Sequence, residues 1–101
     1  MKTKLLKIIN HWGVDHQQRK LEEEVFEFQK EITIAEGVGK IGITSDIGET
    51  CKKHLEEEVG DVLNVLYQFI VYYDLDIDNI INSRIDKIYR TIGDIENEIH
   101  N

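Results

Sequence analysis

Residues 21–28 read Leu21-Glu22-Glu23-Glu24-Val25-Phe26-Glu27-Phe28, and residues 55–62 read Leu55-Glu56-Glu57-Glu58-Val59-Gly60-Asp61-Val62. One acidic, half-apolar phrase is stated twice, 34 positions apart. Each copy spaces two carboxylates at i and i+3, Glu24 with Glu27 and Glu58 with Asp61. On a helix that spacing stacks both groups on one face, a turn apart. The apolar residues around them have the same periodicity. Leu21, Val25, Phe28 and Ile32 recur at helical spacing and predict a helix over about residues 16–35. Leu55, Val59, Val62, Leu63, Leu66, Phe69, Ile70 and Tyr73 predict another, beginning near Asp46 or Gly48. With Leu21 and Leu55 each set to zero, Glu24 and Glu58 fall at roughly −60° and Glu27 and Asp61 at roughly −120°. Glu31 joins the same flank of the first copy, where the second has Val65. Two antiparallel helices meeting through these stripes bring four carboxylates together, and such a cluster repels itself unless cations sit within it.

Working outward, Leu5, Leu6, Ile8 and Ile9 predict a short first helix ending near Trp12-Gly13, with Asp15 placed to cap the next. Residues 36–48 hold four glycines without a clear period and read as a loop, within which residues 41–47 could pair briefly as strand. Asp74-Leu75-Asp76-Ile77-Asp78 breaks the third helix and supplies caps for a fourth, whose one side is nearly all isoleucine: Ile77, Ile81, Ile85, Ile88, Ile92, Ile95 and Ile99. Proline is absent, so nothing interrupts long helices. The expectation is an all-α, four-helix bundle-like fold occupying residues 1–101 as one domain.

Hydrophobic residues make up 41% and charged residues 32%, the balance of a globular helical protein. A net charge of −8 disfavours nucleic acid or an anionic membrane surface as partner. It does not disfavour a small anionic substrate, because bound divalent cations invert the local charge. Cys51 is the single cysteine, so disulfide and zinc-thiolate frameworks are excluded, and it reads as a buried inert thiol despite His54 one turn away. No apolar run approaches the ~20 residues of a membrane span. The basic, apolar start at Met1 lacks a cleavage site for export, which points to the cytoplasm.

Other site patterns fail. None of His11, His16, His54 or His100 stands three residues after a glutamate, as a di-iron bundle site needs, and no HExxH, P-loop, GxGxxG or GxSxG is present. The plain alternative for the acidic pairs is a solvated helix face, with Lys20 and His54 at i−4 from Glu24 and Glu58 as ordinary ion partners.

Gln17-x-x-Lys20-x-x-Glu23-Glu24-x-x-Glu27, followed by Glu57-Glu58-Val59-Gly60-Asp61-Val62-Leu63, resembles the MazG-like all-α nucleoside triphosphate pyrophosphohydrolases over roughly residues 10–95. The resemblance implies magnesium (or manganese in its place) held by Glu24, Glu27, Glu58 and Asp61. It implies cleavage of a nucleoside triphosphate between the α and β phosphates, giving monophosphate and pyrophosphate. Glu23 and Glu27 are the candidates for taking the proton of the attacking water. Lys87, with Arg84 and Arg90, matches the family's phosphate-binding positions, the alternative being a solvated basic face. Trp12 is placed to stack on a nucleobase, or else packs against Gln17 and Leu21; Asn64 is placed to bind ribose or base, or is an exposed helical asparagine. The family assembles as dimers or tetramers, and Phe26, Tyr67 and Val71, outside the main stripes, provide a second contact surface for a homodimer or homotetramer. Two other functions fit the same residues: a non-catalytic helical interaction module, and a dUTP-, dCTP- or phosphoribosyl-ATP-directed hydrolase of the same fold.

Overall fold

The computed structural model describes residues 1–39 and 46–100, with the backbone alone at 38, 39, 46, 47, 99 and 100. It is all-helical, with the elements α1 (Lys2–Trp12), α2 (Val14–Gly39), α3 (Asp46–Tyr72) and α4 (Ile77–His100) and no strand among the described residues. None of these helices is long and apolar enough to cross a membrane. The possible strand pairing at residues 41–47 falls largely on residues outside the described ones.

The α1–α2 junction is sharper than the sequence predicts. Gly13, at φ 90°, lets the chain turn where a side chain would be strained, and α2 begins at once at Val14. Gly13 donates its N–H to the Ile9 carbonyl and accepts at its own carbonyl from Gln17 N–H, closing one helix and opening the next. Asp15 therefore lies in the first turn of α2, where its charge favours the helix dipole, and is not the cap expected of it. Helix α2 also runs on through Gly37 to Gly39, and α3 starts at Asp46, so both ends of the expected 36–48 loop are helical.

The end of α3 follows the acidic break. Asp74 adopts φ 52°, Leu75 N–H bonds the Ile70 carbonyl and Asp74 N–H the Val71 carbonyl, a Schellman stop with aspartate in the left-handed position. Asp76 then accepts the Asn79 N–H on Oδ1 at 3.1 Å and caps α4.

Helices α2 and α3 pack most extensively, and α1 lies across α3 and, to a lesser extent, α2. Residue 17 bonds residue 68 and residue 27 groups with residue 58, so α2 and α3 run antiparallel. The interior between them is thin: Ile9, Cys51 and Val65 are its buried apolar residues, beside buried Gln17, Glu24 and Gln68. Cys51 is thus the buried thiol that the sequence led us to expect.

Two expectations about packing need correction. The apolar stripe of α3 is wider than its partner helices cover, so Val59, Leu63 and Leu66 remain substantially exposed while the flank carrying Glu58, Val65 and Gln68 turns inward. And α4 makes no packing comparable to that among α1, α2 and α3. Its isoleucines from Ile80 to Ile95 face solvent, Ile85 at 43% and Ile88 at 56% exposure. A radius of gyration of 17.7 Å, against about 13 Å for a compact chain of this length, reflects that outlying helix.

Candidate metal centre and groove

Antiparallel pairing of the two acidic phrases brings Glu24, Glu27 and Glu58 together. Each offers a carboxylate oxygen, and the three oxygens lie within 4.8 Å of one another. Octahedral magnesium takes oxygens at about 2.1 Å, which puts ligand atoms roughly 3–4 Å apart, so a small adjustment of side chains accommodates the ion. Glu24 is only 6% exposed. Its Oε1 accepts from Lys20 Nζ at 3.0 Å, while its Oε2 is buried with no hydrogen-bond partner; Glu58 Oε2 and Glu31 Oε2 are orphaned in the same way. Buried acceptors without donors are costly. A cation held by the group would satisfy those of Glu24 and Glu58.

The electrostatics have the same origin. Burial, then the charges of Glu27, Asp61, Glu24 and Glu31, hold the Glu58 carboxyl above the ordinary value of 4.5. Hydrogen bonding and attraction from Glu24 outweigh partial desolvation and raise the Lys20 ammonium above 10.5. Asp61, named with the quartet by sequence, is exposed and stands beside the three-carboxylate group without belonging to it. Its charge nonetheless reaches Glu58, and its side chain lines the adjoining groove.

That groove has a volume of about 560 Å³ and is bounded by Ile8, Trp12, His16, Gln17, Lys20, Glu23, Glu24, Asp61, Asn64, Val65 and Gln68. Its size suits a nucleotide-scale ligand. Trp12 is 55% exposed, not a core residue. It stacks on His16 with ring centroids 4.9 Å apart and meets His11 edge-on. Asn64 and Glu23 line the same groove, and Glu23 lies 3.9 Å from Lys20. Glu27 is with the carboxylate group but not on the groove wall.

The basic residues of α4 are not brought here. Arg84, Lys87 and Arg90 line a separate shallow surface with Thr91 and Asp94 on their own helix. Since α4 makes no extensive packing on α2 or α3 and its basic residues line a separate surface, the expected phosphate contacts are not formed within one chain. The cation that does stand in the groove is Lys20, which the sequence reading took for an ordinary ion partner.

Sequence reasoning also passed over the polar seam between the helices. Gln17 Nε2 donates to Gln68 Oε1 at 2.7 Å, Gln68 Nε2 donates to Asn64 Oδ1 at 3.2 Å, and Gln17 Oε1 lies 2.7 Å from His16 Nδ1. Gln17 and Gln68 are 4% and 2% exposed. Each glutamine stands two turns from a motif carboxylate, Gln17 seven residues before Glu24 and Gln68 seven after Asp61. With Leu55 at zero, however, Gln68 falls at roughly −140°, off the apolar stripe, so the sequence pattern does not mark it as inward.

The chain matches no protein-family description, no curated protein and no solved structure at a significant level.

Proposed function

We propose that this protein is a magnesium-dependent nucleoside triphosphate pyrophosphohydrolase of the MazG-like kind. The observation that carries the reading is the three-carboxylate group with orphaned, buried oxygens at the edge of a groove of nucleotide size. Glu24, Glu27 and Glu58 would hold the metal, with Asp61 alongside. Bound magnesium supplies charge neutralisation for phosphate oxygens and lowers the pKa of water. Glu23, paired loosely with Lys20 and facing the groove, is better free to accept the proton of the attacking water than Glu27, which is needed as a ligand. The water attacks the α-phosphorus, the bond to the bridging oxygen breaks, and pyrophosphate departs. Lys20 is positioned to meet phosphate charge, and half-exposed Trp12, one face stacked on His16, offers the groove an aromatic surface for a base.

The working unit in this proposal is a homodimer or higher homo-oligomer in the cytoplasm. The exposed isoleucine face of α4 and the uncovered Val59, Leu63 and Leu66 on α3 need cover, and a second copy of the chain presents the same apolar chemistry. A second copy can also bring α4 cations, such as Lys87, near the carboxylates.

The test is pyrophosphate release from a panel of ribo- and deoxyribonucleoside triphosphates, including dUTP and dCTP, and from phosphoribosyl-ATP, with magnesium or manganese present. Release that disappears in Glu58→Ala supports the reading and names the substrate. Absence of release from every compound leaves the non-catalytic interaction module.

A further inference from the structure

Side-chain hydrogen bonds within and between α2 and α3 form an unbroken chain, from His16 to Gln17 on α2, across to Gln68 on α3, and on to Asn64. Both ends reach the groove and the two middle members are buried. A primary amide is a donor at one end and an acceptor at the other. A single glutamine therefore cannot turn over without setting donor against donor in a buried seam, and the chain reverses only as a whole.

We propose that Gln17 and Gln68 are positioning residues that tie the polarity of Asn64 to the tautomer of His16, so that the groove always offers one donor and one acceptor and reads either polarity of a heterocyclic base edge. In one sense of the chain, His16 Nδ1–H donates to Gln17 Oε1, which leaves His16 Nε2 as an acceptor and turns the Asn64 amide N–H groups to the groove. In the other sense, Asn64 donates to Gln68, Gln68 to Gln17, and Gln17 to an unprotonated His16 Nδ1. His16 then carries its proton on Nε2 and Asn64 presents Oδ1. The proton leaves Nδ1 to solvent and another arrives at Nε2 from solvent, so charge and proton count are unchanged. The first state complements a carbonyl beside a ring N–H, the edge of a lactam. The second complements an amino group beside an unprotonated ring nitrogen, the edge of an amidine. A site built this way accepts both classes of base, which a fixed asparagine would separate.

The relay stands on the hydrogen bonds alone; its ligand rests on the nucleotide reading above. The test uses the full chain with ¹⁵N-labelled histidine, its imidazole nitrogens recorded at alkaline pH where free imidazole is neutral. Asn64→Asp is acceptor-only and forces Gln68 to donate toward it, which drives His16 to the Nδ1–H form. Asn64→Lys is donor-only and drives His16 to the Nε2–H form. Opposite His16 tautomers in these two variants, with the difference erased when Gln68→Met is added to each, is the expected result. The same tautomer in both variants, or a difference that survives Gln68→Met, overturns the relay. Separately, uridine and cytidine 5′-monophosphates should bind the wild-type protein within about threefold of each other in calorimetry with magnesium. Discrimination beyond about thirtyfold overturns the dual-edge reading while leaving the relay intact. Binding of neither, with no pyrophosphate released from any triphosphate, removes the nucleotide function itself.

Discussion

Glu24→Gln separates a metal ligand from a structural ion partner, because the forces on Glu24 nearly cancel when no metal is bound. Its carboxylate is attracted by Lys20 at 3.0 Å and repelled by Glu27 and Glu58, each with an oxygen within 4.8 Å. Coulomb energy falls inversely with distance, so two repulsions at that spacing exceed one attraction at 3.0 Å by about a quarter. Lys20 is also 45% exposed, which screens the attraction further. Metal-free Glu24→Gln should therefore unfold within a few degrees of wild type. With magnesium the two proteins diverge. At a hundredfold excess over Kd, binding stabilises the folded state by about 2.7 kcal/mol, or roughly 10–20 °C in Tm for a chain of this size. A neutral amide in place of a carboxylate, weakening binding about a hundredfold, leaves about 0.4 kcal/mol at the same magnesium concentration, roughly 2–3 °C. Thermal unfolding followed by circular dichroism, with chelator and then with magnesium, reads both quantities. A full magnesium shift retained in Glu24→Gln refutes the ligand role. A loss of more than about 10 °C in chelator shows that the Lys20 ion pair, and not metal, is what Glu24 serves.

The raised carboxyl of Glu58 sets a pH dependence with a definite sign. Its folded-state value lies above the ordinary 4.5, so the metal-free fold binds more protons than the unfolded chain in that window. Stability should be greatest below the unfolded value and fall as pH rises through the folded one; urea titrations in chelator across that range check it, and Glu58→Gln should flatten the slope. Glu31, with its orphaned Oε2 and its charge reaching Glu58, should affect metal binding without being indispensable. Glu31→Gln is expected to weaken magnesium about three- to tenfold by calorimetry, and an unchanged affinity would place it outside the centre. If the proposed assembly uses the exposed face of α4, Ile85→Asp with Ile92→Asp should leave the protein monomeric in light scattering where the wild type is not, with the α1–α3 helicity kept. An oligomer that survives both substitutions assembles through another surface.

The sequence was a good guide where structure depends on local chemistry. The repeated phrase located α2 and α3 and the acidic break at Asp74–Asp78 located the α3–α4 turn, because periodicity and capping act within a few residues. It was a weaker guide to which face each helix turns inward. The apolar stripe of α3 suggested a seam through Val59, Leu63 and Leu66, yet the residues that meet α2 include Glu58 and Gln68. A stripe that is broad enough for two partners does not say which one its own chain supplies. The same ambiguity hid the role of α4: an isoleucine-faced helix implies cover, and periodicity is silent on whether that cover is intramolecular. In the site, Glu24, Glu27 and Glu58 were legible from spacing, and Trp12, Asn64 and Glu23 do line one groove. Arg84, Lys87 and Arg90 were named from matching positions, and no helical wheel could say that they lie on a helix standing apart. The Gln17–Gln68 bond spans 51 residues and depends on the antiparallel register, which only the fold reveals.

The last helix leaves this chain carrying a row of greasy side chains that its own neighbours never shield. Under the proposed self-assembly, a newly made copy would stay unfinished until it met another, open to a protease or a chaperone in the meantime. Dose would then be a control in itself, dilution leaving that helix open to cleavage and abundance protecting it, with no effector required.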